Sequence, residues 1–333
     1  MGRATSIDVA RLYTFAWRHA PKIPEPVLRA AFTVVADVTW LRRTSGVRRL
    51  EANYARVRPD LDAPQLRRLS RAGMRSYMRY FREAFTLQGA TADQIAARVR
   101  TEGMENVEPH VRAGRAVSLA LAHLGNWDLA GAYATPHLAP VLTVAERLEP
   151  EELFTEFVAF RRSIGIEALP LGDADVFRRL VRGAAAGGII VPLLADRDLT
   201  ARGLEVDLCG HRARVAAGPA TLAITARVPL VPVGIAYERL DGARRRAAGT
   251  PWGIVLRFYP EVPVPEVARA DGKPDRHAQA AIMTQGWVDA VARSIVESTQ
   301  DWHMLQRVFV DDLDAERYAS TSGEAYRVRA GEA

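Results

Sequence analysis

The pattern of apolar and polar positions changes about a third of the way along the chain. Over the first hundred residues, apolar side chains recur every three or four positions, most clearly in segments 25–43 and 63–87. This spacing places them on one face of a helix. Prolines at positions 21, 24, 26, 59 and 64 separate the segments. We therefore predict a mainly helical region over residues 1–100.

From about Ala116 onward, short apolar runs alternate with helical segments. The runs, which we predict to be strands, lie at 116–123, 140–146, 167–171, 188–196, 229–238 and 252–262. They are mostly apolar throughout, as in strands that are buried on both faces. The pattern predicts an α/β fold with a central, mostly parallel sheet, flanked by helices on both faces and preceded by the helical N-terminal region.

No repeat or linker divides the chain, so we predict one domain over residues 1–315. Within it, residues 101–310 form the α/β core. Residues 316–333 are polar and are expected to be a mobile tail.

Composition narrows the class of protein. The 333 residues are 48% hydrophobic, as in a globular protein, and the single cysteine, Cys209, excludes an internal disulfide and fits a reducing compartment. The net charge is +6, and 43 of the 45 basic residues are arginine, since only Lys22 and Lys273 are lysines. This balance indicates an anionic partner, which composition leaves open as nucleic acid, a membrane surface, or an acidic substrate or carrier.

The N-terminal segment 1–22 is predicted to be an amphipathic helix. It carries apolar residues at helical spacing and several basic residues, and its charges interrupt any signal-peptide core. Such a helix lies either in a membrane interface or against the core of its own protein. No apolar run approaches the roughly 20 residues that a membrane span needs.

Several common motifs are missing from the chain. There is no G-x-S-x-G, no glycine-rich phosphate loop and no H-E-x-x-H. The sequence therefore predicts no metal site and no bound cofactor.

Candidate chemistry begins where the first apolar run of the core ends. His123 falls at the carboxyl end of a predicted strand, where open sheets bind ligands. Gly125 permits a tight turn, and Asn126, Trp127 and Asp128 open a helix. A turn this short lets Asp128 reach the imidazole, orient it and stabilise its charged form after proton abstraction. The alternative is a surface histidine with Asp128 as a favourable charge at a helix N-terminus.

Two further charged clusters follow predicted strands. The first contains Asp196, Arg197, Asp198 and Arg202, and the second contains Glu146, Arg147, Arg161 and Arg162. Each is either part of a site or a set of surface ion pairs of small energetic value.

Taken together, these segments resemble a known family. AHLGNWDLAG is similar to the H-x4-D motif of the glycerolipid acyltransferase superfamily, in the branch of bacterial lipid A late acyltransferases. VAERLEPEELFTEFVAFRRSIGIEALPL, LLADRDLTARGLEVDLCG and DWHMLQRVFV more closely resemble the actinobacterial phosphatidylinositol mannoside acyltransferases. The resemblance covers roughly residues 27–311.

The resemblance implies a membrane-associated enzyme. It would move a long fatty acyl chain from acyl-CoA, or from an acyl-carrier protein, to a mannose hydroxyl of a glycolipid at the cytoplasmic face of the plasma membrane. The implied catalytic residues are His123 as general base, Asp128 and Asp196, although Asp196 stands where these enzymes carry a glutamate.

The implied substrate-binding residues are Asn126, Trp127, Glu146, Arg147, Arg161, Arg197 and Asp198. The implied partners are the donor, the acceptor and an anionic membrane surface, with no nucleic acid. Another glycolipid or lysolipid acceptor, a thioester hydrolase, and a basic binding module without catalysis are the alternative functions.

Overall fold

The computed structural model describes residues 20–147, 150–172, 175–198 and 203–313. Its N-terminal part is helical, as predicted. A short 3-10 turn at Ala20–Lys22 precedes α1 Glu25–Leu41, α2 Ser45–Val57, α3 Ala63–Leu87 and α4 Ala92–Arg98.

Helix α3 begins where its sequence supplies a complete cap. The Asp62 carboxylate accepts from the backbone N–H of Gln65 at 2.7 Å, and the Gln65 side-chain oxygen accepts from the backbone N–H of Asp62 at 2.9 Å. This reciprocal pairing satisfies two amides that the helix leaves without partners. The 25-residue helix then packs along α1 and contributes side chains to the site described below.

Nine strands are present in the part of the chain that the structure describes: β1 Val99–Glu102, β2 Val117–Leu121, β3 Val141–Ala145, β4 Ile166–Pro170, β5 Ile190–Leu194, β6 Leu204–Leu208, β7 His211–Val215, β8 Leu230–Arg239 and β9 Trp252–Phe258. Seven of them form one sheet in the order β1-β9-β8-β2-β5-β3-β4. All neighbouring pairs are parallel except β8 with β9. The predicted mostly parallel central sheet is confirmed.

The centre of the sheet is covered on both faces. Every residue of β2 is buried, although successive side chains point to opposite sides. The helices of this region are α5 Glu108–Arg112, α6 Trp127–His137, α7 Glu151–Ser163, α8 Val176–Ala186, α9 Gly218–Ala226, α10 Gly242–Ala248 and α11 Arg276–Glu297.

The segment after α11 ties the C-terminal part of the chain to the N-terminal helices. The Asn53 side chain of α2 donates to the carbonyls of Met304 and Gln306, each at 2.8 Å. The Tyr54 hydroxyl donates to the Trp302 carbonyl at 2.9 Å. Residues 301–306, which we call the C-terminal strap, therefore pack between α2 and the sheet.

Several elements were not predicted from the sequence: strand β1, helices α5 and α10, and the antiparallel hairpin of β6 and β7, which stands apart from the main sheet. The predicted helix at 1–22 and the predicted tail at 316–333 fall outside the described residues, apart from 20–22. Among the described helices, none has both the length and the apolarity to cross a bilayer. The proposed single-domain boundaries stay predictions.

Candidate active site

The site is centred on His123, two residues beyond the end of β2. Its backbone carbonyl accepts from the His303 N–H at 2.8 Å, and the next turn is held by a Gly125 N–H bond to the Asp301 carbonyl at 2.9 Å. Gly125 has a φ of +58°, and a Cβ there would lie 2.8 Å from the Ile235 side chain. Glycine is therefore required at this turn for both conformation and space.

The imidazole is paired with Asp196, which follows the neighbouring parallel strand β5. His123 Nδ1 lies 2.6 Å from Asp196 Oδ1, and the His123 backbone N–H donates to Oδ2 at 3.0 Å. The Trp302 indole N–H also donates to Oδ2, at 2.8 Å. Three donors thus fix one buried carboxylate at the edge of the sheet.

Asp196 is held in its ionised form. Burial by itself would raise the pKa of this carboxyl, but the charge of His123 and the hydrogen bonds from His123 and Trp302 outweigh that effect and lower the pKa. An ionised carboxylate on Nδ1 accepts that ring proton and leaves the lone pair on Nε2. This is the tautomer that a general base requires.

The other side of the imidazole is accessible. The His123 side chain is 28% exposed, and among the described residues Nε2 has no hydrogen-bond partner. The Trp127 ring meets the imidazole edge-on, with centroids 5.5 Å apart. A hydroxyl group can therefore approach Nε2 without displacing a protein contact.

Asp128 does not make the expected contact with the imidazole. Its Oδ1 accepts from Arg161 Nε at 2.9 Å, and its Oδ2 accepts from the Tyr80 hydroxyl at 2.8 Å. Both oxygens are occupied and the residue is 1% exposed. The physical reason is that Arg161 on α7 and Tyr80 on α3 lie within hydrogen-bond distance of this carboxylate, so it has no oxygen left for the imidazole. Asp196 has the position at the ring that the turn geometry assigned to Asp128.

Asn126 is turned inward. Its side-chain oxygen caps α6 by accepting from the Leu129 N–H at 2.9 Å, and its amide donates to Glu83 at 2.8 Å. Glu83 is itself buried and paired with Arg82 and Arg98. Both ends of the Asn126 side chain are thus used in bonds within the protein. They fix the start of α6, which holds Trp127 next to the imidazole.

The remaining predicted residues pair with other groups, and the buried pairing of Arg161 with Asp128 is given above. Arg197 pairs with Glu146 at 3.3 Å and contacts the strap residue Gln306. Arg147 pairs with Glu151 at 3.4 Å in an exposed position. The Asp198 backbone N–H donates to the Arg214 carbonyl at 3.0 Å. Arg202 and the segment around it lie outside the described residues.

Three residues that complete the site were not predicted, because they are far from His123 in the sequence although close to it in space. Tyr80 and His303 both pack against the Trp127 ring, with the tilted Tyr80 ring at a centroid distance of 4.1 Å, and Trp302 bonds to Asp196. Burial, together with the charges of Arg79 and His123, lowers the pKa of His303 to about 3, so this ring is neutral. The segment DWHMLQRVFV, in which Trp302 and His303 lie, was the available signal.

Comparison with known proteins gives a consistent result. Residues 3–310 match the family described as bacterial lipid A biosynthesis acyltransferase. The chain is 36% identical to the phosphatidylinositol mannoside acyltransferase of Mycolicibacterium smegmatis, over 92% of this chain and 93% of that protein. It is 33% identical to the protein of the same name from Mycobacterium tuberculosis H37Rv, over 92% of this chain and 90% of that one.

A search of solved structures finds the 1-acyl-sn-glycerophosphate acyltransferase PlsC from Thermotoga maritima. It is 12% identical with a TM-score of 0.34, over 80% of this chain and 96% of that one, a likeness too weak to bear on the site. The family match and the two relatives decide the class: the chain belongs to the bacterial lipid A biosynthesis acyltransferase family. It is accordingly an O-acyltransferase of glycolipid metabolism.

Proposed function

We propose that this protein transfers a long fatty acyl chain from acyl-CoA to a mannose hydroxyl of phosphatidylinositol mannoside. The observation that carries the proposal is the His123–Asp196 pair, with Nδ1 held at 2.6 Å and Nε2 open. The names of the relatives support the acceptor, since both act, by name, on phosphatidylinositol mannoside.

The chemistry uses the imidazole twice. His123 Nε2 takes the proton of the attacking sugar hydroxyl, and the sugar oxygen forms a bond to the thioester carbonyl carbon. When the tetrahedral intermediate collapses, the carbon–sulfur bond breaks and the imidazolium returns the proton to the leaving thiolate. Asp196 stabilises the imidazolium between these steps. No covalent acyl-enzyme is required.

Donors for the oxyanion of the intermediate must come from groups that are not already bonded. The N–H groups of Leu124 and Gly125 are used, on the carbonyls of Ala122 and Asp301. The first amides of α6, at Trp127 and Asp128, have no acceptor among the described residues, as expected at a helix N-terminus. We assign the oxyanion to this end of α6.

We also propose that the protein works as a peripheral protein at the cytoplasmic face of the plasma membrane. Helix α1 supports this, because Val27, Val34, Val35, Val38 and Leu41 are exposed by 39–66%. These five residues, which we call the α1 apolar face, lie close together around the helix. Apolar surface of this kind, beside basic side chains, is typical of interfacial helices.

The test is thiol release from palmitoyl-CoA with and without phosphatidylinositol mannoside, with phosphatidylinositol as the control acceptor. We expect release that the mannoside stimulates and the unmannosylated lipid does not. His123→Ala should lower it by about 10² to 10⁴, as for a lost general base. The exposed His137→Ala is the matched control. Equal rates for His123→Ala and wild type would contradict the assignment of the base.

A further inference from the structure

A cavity of about 400 Å³ opens beside α3, and no step of the proposed chemistry uses it. Four arginines line it at positions 68, 71, 75 and 79, a spacing that places them in one stripe of the helix. Its other lining residues are Ala72, Ser76, Tyr237, Trp252, Gln300 and Asp301. We call it the arginine cavity.

The positive charge of the arginine cavity exceeds what the protein neutralises. Arg71 and Arg75 share one carboxylate, that of Asp37 on α1, with each Nη2 at 2.6 Å from Oδ2. Arg68 and Arg79 form neither an ion pair nor a hydrogen bond with any described residue. Two guanidinium groups are therefore left with their donors unused.

Asp301, the acidic residue in the lining, is occupied by other donors. Its Oδ1 accepts from the Ser76 hydroxyl at 2.7 Å, and its Oδ2 accepts from the Tyr237 N–H at 2.9 Å. Burial raises the pKa of this carboxyl, which weakens it further as a counter-ion. Its charge attracts Arg79, but the two side chains form no ion pair.

Arg79 is held by ring faces rather than by acceptors. Its guanidinium carbon lies 3.5 Å from the Trp252 ring centroid and 4.6 Å from that of Tyr237. Stacking fixes the plane of the group and leaves the N–H donors at its edge free. Burial removes water from around this cation and lowers the pKa of Arg79. A fixed, partly desolvated fork of donors is suited to a planar pair of anionic oxygens.

We infer that the arginine cavity binds a phosphate group of a substrate, through Arg79 with help from Arg68. The cavity adjoins the reaction site, because Asp301 lines it and also accepts the Gly125 N–H bond in the turn after His123. The choice of ligand rests on the proposed function. Phosphates occur in the nucleotide part of coenzyme A and in the inositol head group of the acceptor.

The experiment is isothermal titration calorimetry with two soluble probes, adenosine 3′,5′-bisphosphate for the donor and glycerophosphoinositol for the acceptor. We expect wild type to bind one of them, which identifies the source. Arg79→Gln should weaken that binding by about tenfold or more, as for a lost charge-assisted bond. The more exposed Arg68→Gln should weaken it less. Arg293→Gln is the matched control. The Arg293 guanidinium carbon also lies over a tyrosine ring, 4.6 Å from the Tyr259 centroid, but Arg293 does not line the cavity.

Folding of each variant is checked by thermal unfolding. If Arg79→Gln does not fold, Arg79→Lys and Arg68→Gln carry the test, with a partial loss expected of each. The inference is overturned if wild type binds neither probe, or if the Arg79 and Arg68 variants bind as wild type does.

Failure of the binding site and failure of the proposed function give different results. Acylation that depends on His123 but not on Arg79 or Arg68 would remove the phosphate site alone. Arg79-dependent binding by a protein that consumes no thioester would remove the proposed reaction alone.

Discussion

At the scale of single residues, two aspartates that look alike in the sequence have different surroundings. Asp196 contacts the imidazole, whereas Asp128 neutralises a buried arginine. Both side chains are almost fully buried, so substitution of either should change stability or activity. The structure predicts that substitution of Asp196 mainly lowers kcat and that substitution of Asp128 mainly lowers the free energy of unfolding.

Asp196→Asn should lower kcat by about 10² or more, because an amide does not stabilise the imidazolium and does not favour the right tautomer. The measurement is kcat for acceptor-stimulated thiol release from the folded protein. Trp302→Phe, which removes one of the three hydrogen bonds to the same carboxylate, should give a smaller loss. An Asp196→Asn variant with wild-type kcat would exclude Asp196 from the mechanism.

Asp128→Asn should mainly lower the free energy of unfolding. Arg161 would keep its charge in a buried position without a counter-ion, which costs about 3–5 kcal/mol. Urea denaturation measures this loss, and Asp196→Asn, assayed in parallel, provides the comparison for kcat. Full stability of Asp128→Asn with a loss of kcat as large as that of Asp196→Asn would instead support a catalytic role for Asp128.

The sequence predicts part of this site for a physical reason. His123 and Asp196 follow apolar runs, and parallel strands end at the same edge of a sheet. The partner of Asp128 was not predictable, because Arg161 lies 33 residues away on a helix whose orientation the pattern does not define. The roles of Trp302 and His303 depend on long-range contacts, which span 106 residues from Trp302 to Asp196 and 227 residues from His303 to Ser76.

At the scale of elements, the α1 apolar face makes the membrane proposal testable. Val34→Asp with Val38→Asp places two charges on this face, and we expect the protein to lose most of its binding to anionic vesicles in a sedimentation assay. Burying apolar surface in the interface drives such binding, and a charge opposes it.

The control for this experiment is Val264→Asp, because Val264 is 49% exposed but lies outside α1. Its vesicle binding should match that of wild type. Undiminished binding by the α1 double variant would show that this face does not dock on lipid.

The elements that escaped prediction share a weak hydrophobic signal. Strand β1 has the sequence VRTE and lies at the sheet edge, where Arg100 and Glu102 pair with one another. Strands β6 and β7 are only five residues long; β6 carries exposed charges between its buried positions, and β7 begins with two residues that are not buried. The central strands and the long helices were predicted because burial on two faces, or along a whole stripe, leaves a strong pattern.

At the scale of the whole molecule, buried His303 links folding to pH. The pKa of His303 is about 3 in the folded protein, against the ordinary histidine value of 6.5 that applies to the unfolded chain. As pH falls, the unfolded chain therefore takes up the proton first. Stability from this group is fully present above about pH 6.5 and is lost as pH falls toward 3. At pH 5 the loss is about 2 kcal/mol.

The measurement is the free energy of unfolding in urea at pH 7 and pH 5, for wild type and His303→Gln. The variant should show a smaller decrease between the two pH values, since glutamine does not titrate. His137→Gln, at an exposed position, should keep the wild-type decrease. Identical pH dependence in all three proteins would show that His303 is not protected from protonation.

The C-terminal strap has a consequence for synthesis. The backbone bond that fixes the His123 carbonyl comes from His303, so 180 residues separate the general base from the amide that holds it. At ~5–20 residues per second, a ribosome needs roughly 10 to 40 s to make that interval. During this time the nascent chain carries its central strand without the segment that completes the site. The site is therefore incomplete while residues 124–303 are being translated, and it can first assemble once the strap has been made.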